Sequence, residues 1–195
     1  MGNVDSVVRA VEECGGTPVV TSQASELCQA SHVILPGVGA FPDGIRNLQA
    51  RALDKTLREH VLDKRIPFLG VCLGMQMLAT TGSEGGMTEG LCWVEGAVER
   101  LVPDGPEARV PHIGWNEVMF VRDSLLFTGI PSGRNFYFVH SYHLRCRDDA
   151  DVVAVTPYCS RFVAAIERGM IFGVQFHPEK SQRLGLQVLK NFLSV

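Results

Sequence analysis

Short apolar runs alternate with stretches of helical periodicity over about the first 80 residues. The alternation opens with a predicted helix from Val4 to Cys14, for which Asn3 or Asp5 is the candidate N-cap. Three predicted strands and one long amphipathic helix follow, the strands at 17–21, 32–35 and 66–71 and the helix at 45–61. Strands that alternate with helices predict a parallel α/β sheet built from βαβ units.

After Gly82 the pattern changes to short β-rich runs separated by turns, which predict antiparallel additions or strands that return to the sheet edge. The runs are 92–102, 110–121, 136–144, 152–156, 162–167 and 171–176, and an apolar helix from Leu184 to Leu193 closes the chain. The sequence shows neither an internal repeat nor a long linker. Residues 1–195 are therefore expected to form one α/β domain with an open, mostly parallel, doubly wound sheet.

Charge and cysteine content narrow the classes of partner and cofactor. With 18 Lys and Arg against 21 Asp and Glu, the chain lacks the cationic field that nucleic acid or an anionic membrane would require. Six cysteines without a Cys-x-x-Cys pair predict reduced thiols, and we expect no metal site and no cofactor. The apolar runs are far shorter than the roughly 18 residues of a membrane span, and the start lacks a signal-peptide pattern, so a cytoplasmic location is expected.

Gly70-Val71-Cys72-Leu73-Gly74 follows a predicted strand and begins a predicted helix. A nucleophile between two glycines is typical of a strained strand-to-helix turn, where a cysteine sits at the helix N-terminus and the next N–H faces the developing oxyanion. An isolated cysteine in such a run packs more often as a small core residue. The two glycines favour the interpretation of Cys72 as a nucleophile over that of a core residue.

Two further segments end predicted strands. In extended geometry His177 and Glu179 project to the same side, as a base and its orienting carboxylate would, although a capped turn is the ordinary alternative. The loop after Leu35 contains Pro36-Gly37-Val38-Gly39, and Val38 or Gly39 could supply a second oxyanion N–H unless the loop is a plain turn. Carboxyl ends of strands line the ligand crevice of open α/β sheets.

These three segments, in this order and spacing, resemble the triad family of class I glutamine amidotransferases. Within that family, Pro111 to Asn116 and Phe136 to His143 resemble the glutaminase subunits of imidazole glycerol phosphate synthases. The resemblance extends from residue 2 almost to the end and implies a flavodoxin-like fold with a single type 1 glutamine amidotransferase domain.

The resemblance implies that the chain hydrolyses L-glutamine through a Cys-His-Glu triad. Cys72 would be the nucleophile, His177 the base and later the acid, and Glu179 the residue that orients His177. The oxyanion would face the N–H groups of Leu73 and of the Val38-Gly39 loop. The glutamyl thioester would then be hydrolysed to glutamate.

Substrate contacts are implied at Gly37, Gly39, Gln76, Ser141 and Tyr142. Gln76 and the Ser141-Tyr142 segment match family positions that hold the amino-acid end of glutamine. Without the resemblance, Gln76 would be interpreted as a solvated helix residue and Ser141 as a strand-end hydroxyl.

A partner is implied because free ammonia would be lost to solvent. The family resemblance indicates a cyclase subunit of the (β/α)8-barrel type, with which the chain would form a heterodimer. Asn3, Trp115, Asn116 and Lys180 are the implied interface residues. A tryptophan is more often part of a core, so Asn116 and Lys180 near the site carry this interpretation.

Family members begin with a hydrophobic strand ending in a tyrosine-glycine turn, and this sequence lacks that strand before Met1-Gly2-Asn3. We therefore expect a misassigned start or a truncated chain. The alternative functions are a glutaminase of another synthase, a cysteine peptidase-like hydrolase on the same turn, and a non-catalytic binding subunit of the same fold. The intact Cys72, His177 and Glu179 weigh against the last of these.

Overall fold

The structure is a computed structural model that describes residues 2–195, with side chains from Val4 onward. Its helices are α1 (Gly2–Glu13), α2 (Ala24–Leu27), α3 (Phe41–Ala50), α4 (Leu53–Arg58), α5 (Leu73–Gln76) and α6 (Gln182–Phe192). Its strands are β1 (Val33–Gly37), β2 (Phe68–Cys72), β3 (Thr81–Gly82), β4 (Thr88–Glu89), β5 (Gly96–Arg100), β6 (His112–Phe120), β7 (Arg134–His140), β8 (Tyr142–Cys146), β9 (Val152–Thr156), β10 (Phe162–Arg168) and β11 (Ile171–Val174).

A seven-stranded mixed sheet has the order β1-β2-β11-β10-β9-β6-β7. The pairs β1–β2 and β2–β11 are parallel, and each following pair is antiparallel. The predicted α/β class with antiparallel additions is confirmed, but the sheet is mixed and not mostly parallel, since two of its six strand pairs within residues 2–195 are parallel and four are antiparallel. Most of the chain after Gly82 returns through hairpins, which impose antiparallel pairing.

Helices cover both faces of this sheet, as the doubly wound prediction requires. On one face, α1 and α6 bury residues such as Ala10 and Val188 against Leu69 and Val71 of β2. On the other face, α3 and α4 pack against Phe68, the neighbour of Leu69 along the same strand. Because successive side chains of a strand point to opposite faces, β2 contributes to both cores and is buried along its whole length.

The long helix predicted over 45–61 is two helices, α3 and α4, followed by a π-helical turn at Glu59–Asp63. The break lies at Ala52, which has a left-handed φ of 54° and is exposed. The break at Ala52 allows Leu48 and Leu57 to enter the same core cluster. The prediction was wrong here because Leu48 and Leu57 would lie on opposite sides of a straight helix, so one continuous helix could not bury both.

The strand predicted at 17–21 is also wrong, because this segment has no regular secondary structure and belongs to neither sheet of residues 2–195. Val19 and Val20 are 72% and 66% exposed. A β-branched segment becomes a strand only when a neighbouring strand supplies hydrogen-bond partners. Within the described residues β1 is paired with β2, and no strand is paired with residues 17–21.

The run predicted at 136–144 divides between two sheets. β7 ends at His140 and β8 begins at Tyr142, and β8 belongs to a four-stranded sheet of order β4-β3-β5-β8. Ser141 lies at the crossing, where its carbonyl accepts a hydrogen bond from the N–H of Leu101 at 2.9 Å.

No helix within residues 2–195 has the length and apolar character to span a bilayer.

Candidate active site

Cys72 occupies a sharp turn between β2 and α5. Its φ of 55° and ψ of −109° lie in a region that L residues rarely adopt. A Cβ atom at Gly70 would lie 2.7 Å from the backbone of Gly74, and one at Gly74 would lie 1.8 Å from the carbonyl oxygen of Leu35. Both glycines are therefore required, because the helix begins in direct contact with the strands. The strained turn predicted from the sequence is present.

His177 and Glu179 form a hydrogen-bonded pair whose side chains are fully buried. The distance from His177 Nδ1 to Glu179 Oε1 is 2.7 Å. Because a carboxylate only accepts, the proton lies on Nδ1 and Nε2 is left as the basic nitrogen. Nε2 is buried and remains available to interact with the Cys72 sulfur.

Opposing effects act on the pKa of His177. Burial lowers the pKa, but interactions of the ring with the Cys72 sulfur and the Glu179 carboxylate outweigh burial and raise it to about 9. The imidazolium form is therefore favoured when Cys72 is a thiolate. A positively charged ring beside a thiolate is the arrangement that nucleophilic cysteine chemistry requires.

The loop that carries His177 is fixed by β7. The N–H of His177 donates to the carbonyl of Tyr137 at 2.9 Å. The hydroxyl of Ser181 donates to the carbonyl of His177 at 2.7 Å and accepts from the N–H of Tyr137 at 3.0 Å. Sequence reasoning missed both contacts, since Tyr137 lies on a strand remote along the chain.

The loop after β1 lies beside Cys72, because Gly37 pairs with Cys72 in the parallel ladder. A Cβ atom at Gly37 would lie 2.9 Å from the Cβ of Leu73, so only glycine permits this approach. Val38 and Gly39 are exposed, and Gly39 has a φ of 105° that favours glycine. The structure brings these residues to one edge, and their oxyanion role stays a prediction.

Gln76 is a buried residue that faces the start of β8. Its Nε2 donates to the carbonyl of Tyr142 at 2.7 Å and to Oε1 of Gln175 at 3.0 Å. With 5% exposure it is not the solvated helix residue that the alternative interpretation required. Ser141 is half-buried next to Tyr142. The substrate roles of the three predicted residues Gln76, Ser141 and Tyr142 stay predictions.

Gln175 is a site residue that sequence reasoning missed. It is fully buried, and its Nε2 lies 3.6 Å from the sulfur of Cys72. The available signal was a polar residue within the apolar run 171–176, directly before Phe176-His177. A buried amide at a strand end requires hydrogen-bond partners, and here one of them is the Cys72 sulfur.

A second buried histidine cluster lies next to this site. His140 Nδ1 is 2.9 Å from the carbonyl of Tyr142, and His140 Nε2 is 3.1 Å from His112 Nδ1. His112 Nε2 lies 3.3 Å from Nδ2 of Asn116. Because the Tyr142 carbonyl only accepts, His140 carries its proton on Nδ1, and His112 then donates from Nδ1 and accepts from Asn116.

The predicted interface residues fall into two groups. Trp115 is exposed and packs edge-on against Tyr137 at a ring distance of 6.0 Å, and Lys180 Nζ lies 5.8 Å from the same ring. Asn116 instead is half-buried, and its amide also accepts from the N–H of Glu117. Asn3 lies in α1, but its side chain is outside the described part of the chain.

Comparison with known proteins identifies the family. Residues 1–195 match the family model of Glutamine amidotransferase class-I. The chain belongs to the class I glutamine amidotransferase family. The resemblance expected from the three strand-end segments is therefore confirmed.

Individual members of the family show the same relationship over nearly the whole chain. The imidazole glycerol phosphate synthase subunit HisH of Moorella thermoacetica is 50% identical over 98% of this chain and 90% of that protein. The protein of the same name from Rhodopirellula baltica is 45% identical over 98% of this chain and 92% of its own length.

Solved structures share the fold at lower identity. The crystal structure of a glutamine amidotransferase has a TM-score of 0.73 at 17% identity, covering 97% of this chain and 92% of that one. The glutaminase domain of CTPS from Trypanosoma brucei, with bound acivicin, has a TM-score of 0.68 at 19% identity, covering 97% and 86%. The α/β fold is confirmed by these similarities.

Proposed function

We propose that this chain is the glutaminase subunit of an imidazole glycerol phosphate synthase and releases ammonia from L-glutamine during histidine biosynthesis. The observation that carries the proposal is Cys72 on its strained turn beside the buried His177–Glu179 pair. The 50% identity to a HisH subunit supports the synthase assignment. Residues 1–195 would act as one domain, and reduced cysteines fit a cytoplasmic enzyme.

The first half of the reaction forms a thioester. His177 Nε2 takes the thiol proton, and the Cys72 sulfur attacks the side-chain amide carbon of glutamine. The carbonyl oxygen becomes an oxyanion, which would accept from the N–H of Leu73 and from the Val38-Gly39 loop. His177 then returns its proton to the amide nitrogen, and the carbon–nitrogen bond breaks to release ammonia.

The second half regenerates the thiol. His177 takes a proton from water, the hydroxide oxygen attacks the thioester carbon, and a second oxyanion forms at the same donors. Collapse of this intermediate breaks the carbon–sulfur bond, releases glutamate and returns the proton to Cys72. Glu179 keeps the His177 ring in one tautomer through both halves, because the Nδ1–H bond to its carboxylate persists.

The glutamine amino-acid end would bind beside Gln76 and the Ser141-Tyr142 crossing. Both protons of Gln76 Nε2 are engaged within the chain, which leaves Oε1 to accept from the substrate ammonium group. Gly37 and Gly39 let the loop backbone approach the substrate without a side chain intervening.

A cyclase subunit of the (β/α)8-barrel type would receive the ammonia in a heterodimer. Trp115 and Lys180 meet at Tyr137, whose backbone holds the loop of His177, so a partner seated on this exposed group would contact the catalytic loop through one residue. Asn116 would contribute from the same strand, and Asn3 from α1.

The proposal is tested by measuring glutamate formation by the full chain, alone and with a cyclase that carries a substrate analogue. We expect activity that rises when the cyclase is present. Cys72→Ala should abolish hydrolysis and retain cyclase binding, while Cys28→Ala, at an exposed cysteine, should behave as the parent chain. Unchanged activity in Cys72→Ala would exclude the triad, and an inactive, folded parent would favour a non-catalytic binding subunit.

A further inference from the structure

The side chain of Gln175 contacts the nucleophile but performs no step in the reaction described above. Its Nε2 lies 3.6 Å from the Cys72 sulfur, and the residue is fully buried. We propose that Gln175 is a positioning residue, which holds an N–H donor against the Cys72 sulfur and stabilises the thiolate. The consequence for turnover rests on the proposed function.

The orientation of the Gln175 amide follows from its neighbours. The carbonyl of Tyr142 can only accept, so Gln76 must present Nε2 to it, at 2.7 Å. The second proton of the same nitrogen points to Gln175 at 3.0 Å, so Gln175 must present Oε1 there. Its Nε2 is then left on the side of Cys72. A reversed amide would place two N–H groups against each other and an oxygen against the sulfur.

This orientation is held from both ends. The carbonyl of Tyr142 also accepts from His140 Nδ1 at 2.9 Å, so the acceptor to which Gln76 binds is itself fixed. Gln76 and Gln175 are 5% and 0% exposed. Because a buried amide that loses its partner has no water to replace it, rotation of either side chain is unfavourable.

The two protonation states of Cys72 use different neighbours. The neutral thiol donates weakly to the carbonyl of Val139, 3.9 Å away. Once the proton has passed to His177, the sulfur carries a negative charge and accepts from Gln175. Because hydrogen bonds to ionised groups are stronger than neutral ones, the contact with Gln175 favours the thiolate over the thiol.

The test is the pH profile of Cys72 alkylation by iodoacetamide in the full chain, quantified on the Cys72 peptide by mass spectrometry. Gln175→Met keeps the side-chain length and removes the donor, so we expect the midpoint of the profile to rise by about one pH unit. Gln175→Glu should raise the midpoint further, since a carboxylate faces the thiolate. Gln187→Met on α6 is the matched control and should retain the parent midpoint.

Midpoints that equal the parent value in both Gln175 variants would overturn the proposal even if glutamine hydrolysis fell, because lost packing slows turnover without moving this midpoint. If Gln175→Met does not fold, Gln76→Met serves instead, since it frees the Gln175 amide and should raise the midpoint by less. Alkylation requires neither glutamine nor cyclase. A chain that shows the shift but releases no ammonia would therefore contradict the proposed function and leave this inference standing.

Discussion

Two buried histidine sites lie on neighbouring segments of this fold and hold opposite charge preferences. The pKa of His177 is raised to about 9, whereas burial lowers the pKa of His112 to about 4 and that of His140 to about 3. All three side chains are almost entirely removed from solvent. Burial alone would make all of them neutral, so the difference must come from their partners.

The partners of His177 are a carboxylate and a sulfur that becomes a thiolate, and both favour the imidazolium ion. The partners of His140 are a carbonyl and the ring of His112, which provide no negative charge. The first site is therefore suited to moving a proton, and the second to holding the Tyr142 carbonyl in place. The charge state of these buried histidines is therefore decided by the adjacent groups rather than by the extent of burial.

Glu179→Gln would replace the charged partner of His177 by a neutral one and remove most of the pKa difference between the two histidine sites. We expect glutamine hydrolysis to fall about 10³-fold, because the ring loses both its orienting acceptor and the charge that stabilises the imidazolium ion. The measurement is kcat/KM in the presence of the cyclase. Glu59→Gln, at an exposed glutamate, is the control and should retain full activity. An effect below tenfold would contradict the assignment of Glu179.

The His112–His140 pair should make the fold sensitive to acid. Above pH 6.5 both residues are neutral whether the chain is folded or unfolded. Below pH 6.5 both histidines bind protons in the unfolded chain. In the folded chain His112 binds a proton only near pH 4 and His140 only near pH 3. We expect a loss on the order of 3 kcal/mol in the free energy of unfolding between pH 6.5 and 4, measured by urea denaturation. His140→Asn, which retains a donor near Tyr142, should flatten this slope.

His177 provides the opposite control. Because its folded pKa is raised, its contribution to stability is complete below pH 6.5 and is lost as the pH rises through about 9. His177→Asn should therefore flatten the alkaline side of the stability profile and leave the acid side unchanged. A parent chain whose stability is the same at pH 6.5 and pH 4 would contradict the account of the His112–His140 pair.

Asn116→Asp would make the His112–His140 site resemble the His177 site, because it places a carboxylate next to His112 Nε2. We expect the pKa of His112 to rise by about one unit, since Asn116 is half-buried and water weakens the new charge. The measurement is an NMR titration of the histidine rings. Asn116→Leu, which removes the donor without adding charge, should raise the pKa by less than Asn116→Asp does. Equal titration curves for both variants would refute the partner-based explanation.

Local motifs carried most of the information that could be read without a structure. Gly70-x-Cys72-x-Gly74 predicts its turn because each glycine relieves a specific backbone clash, and such clashes depend on near neighbours in the chain. His177 and Glu179 are separated by one residue, so their pairing also follows from local geometry. The helices α1 and α6 were predicted from periodicity for the same reason.

Gln175, Tyr137 and Ser181 could not be assigned roles from the sequence. The contact between Tyr137 and Ser181 spans 44 residues of the chain and that between Gln175 and Cys72 spans 103, and no local pattern records such a contact. The 17–21 segment shows the same limit in reverse. Its composition favours a strand, yet strand formation requires a neighbour that this segment lacks within the described residues.

The sequence by itself determined the α/β class, the strained turn of Cys72, the His177–Glu179 pair and the family, because each depends on short-range geometry or on patterns that persist along the chain. Only the tertiary structure decided which buried groups meet. Hydrogen bonds among Gln76, Gln175 and the Tyr142 carbonyl join three distant segments, and their directions follow from which atoms can donate. The charge of each buried histidine was decided in the same way, because electrostatic interaction depends on distance in space and not on separation in sequence.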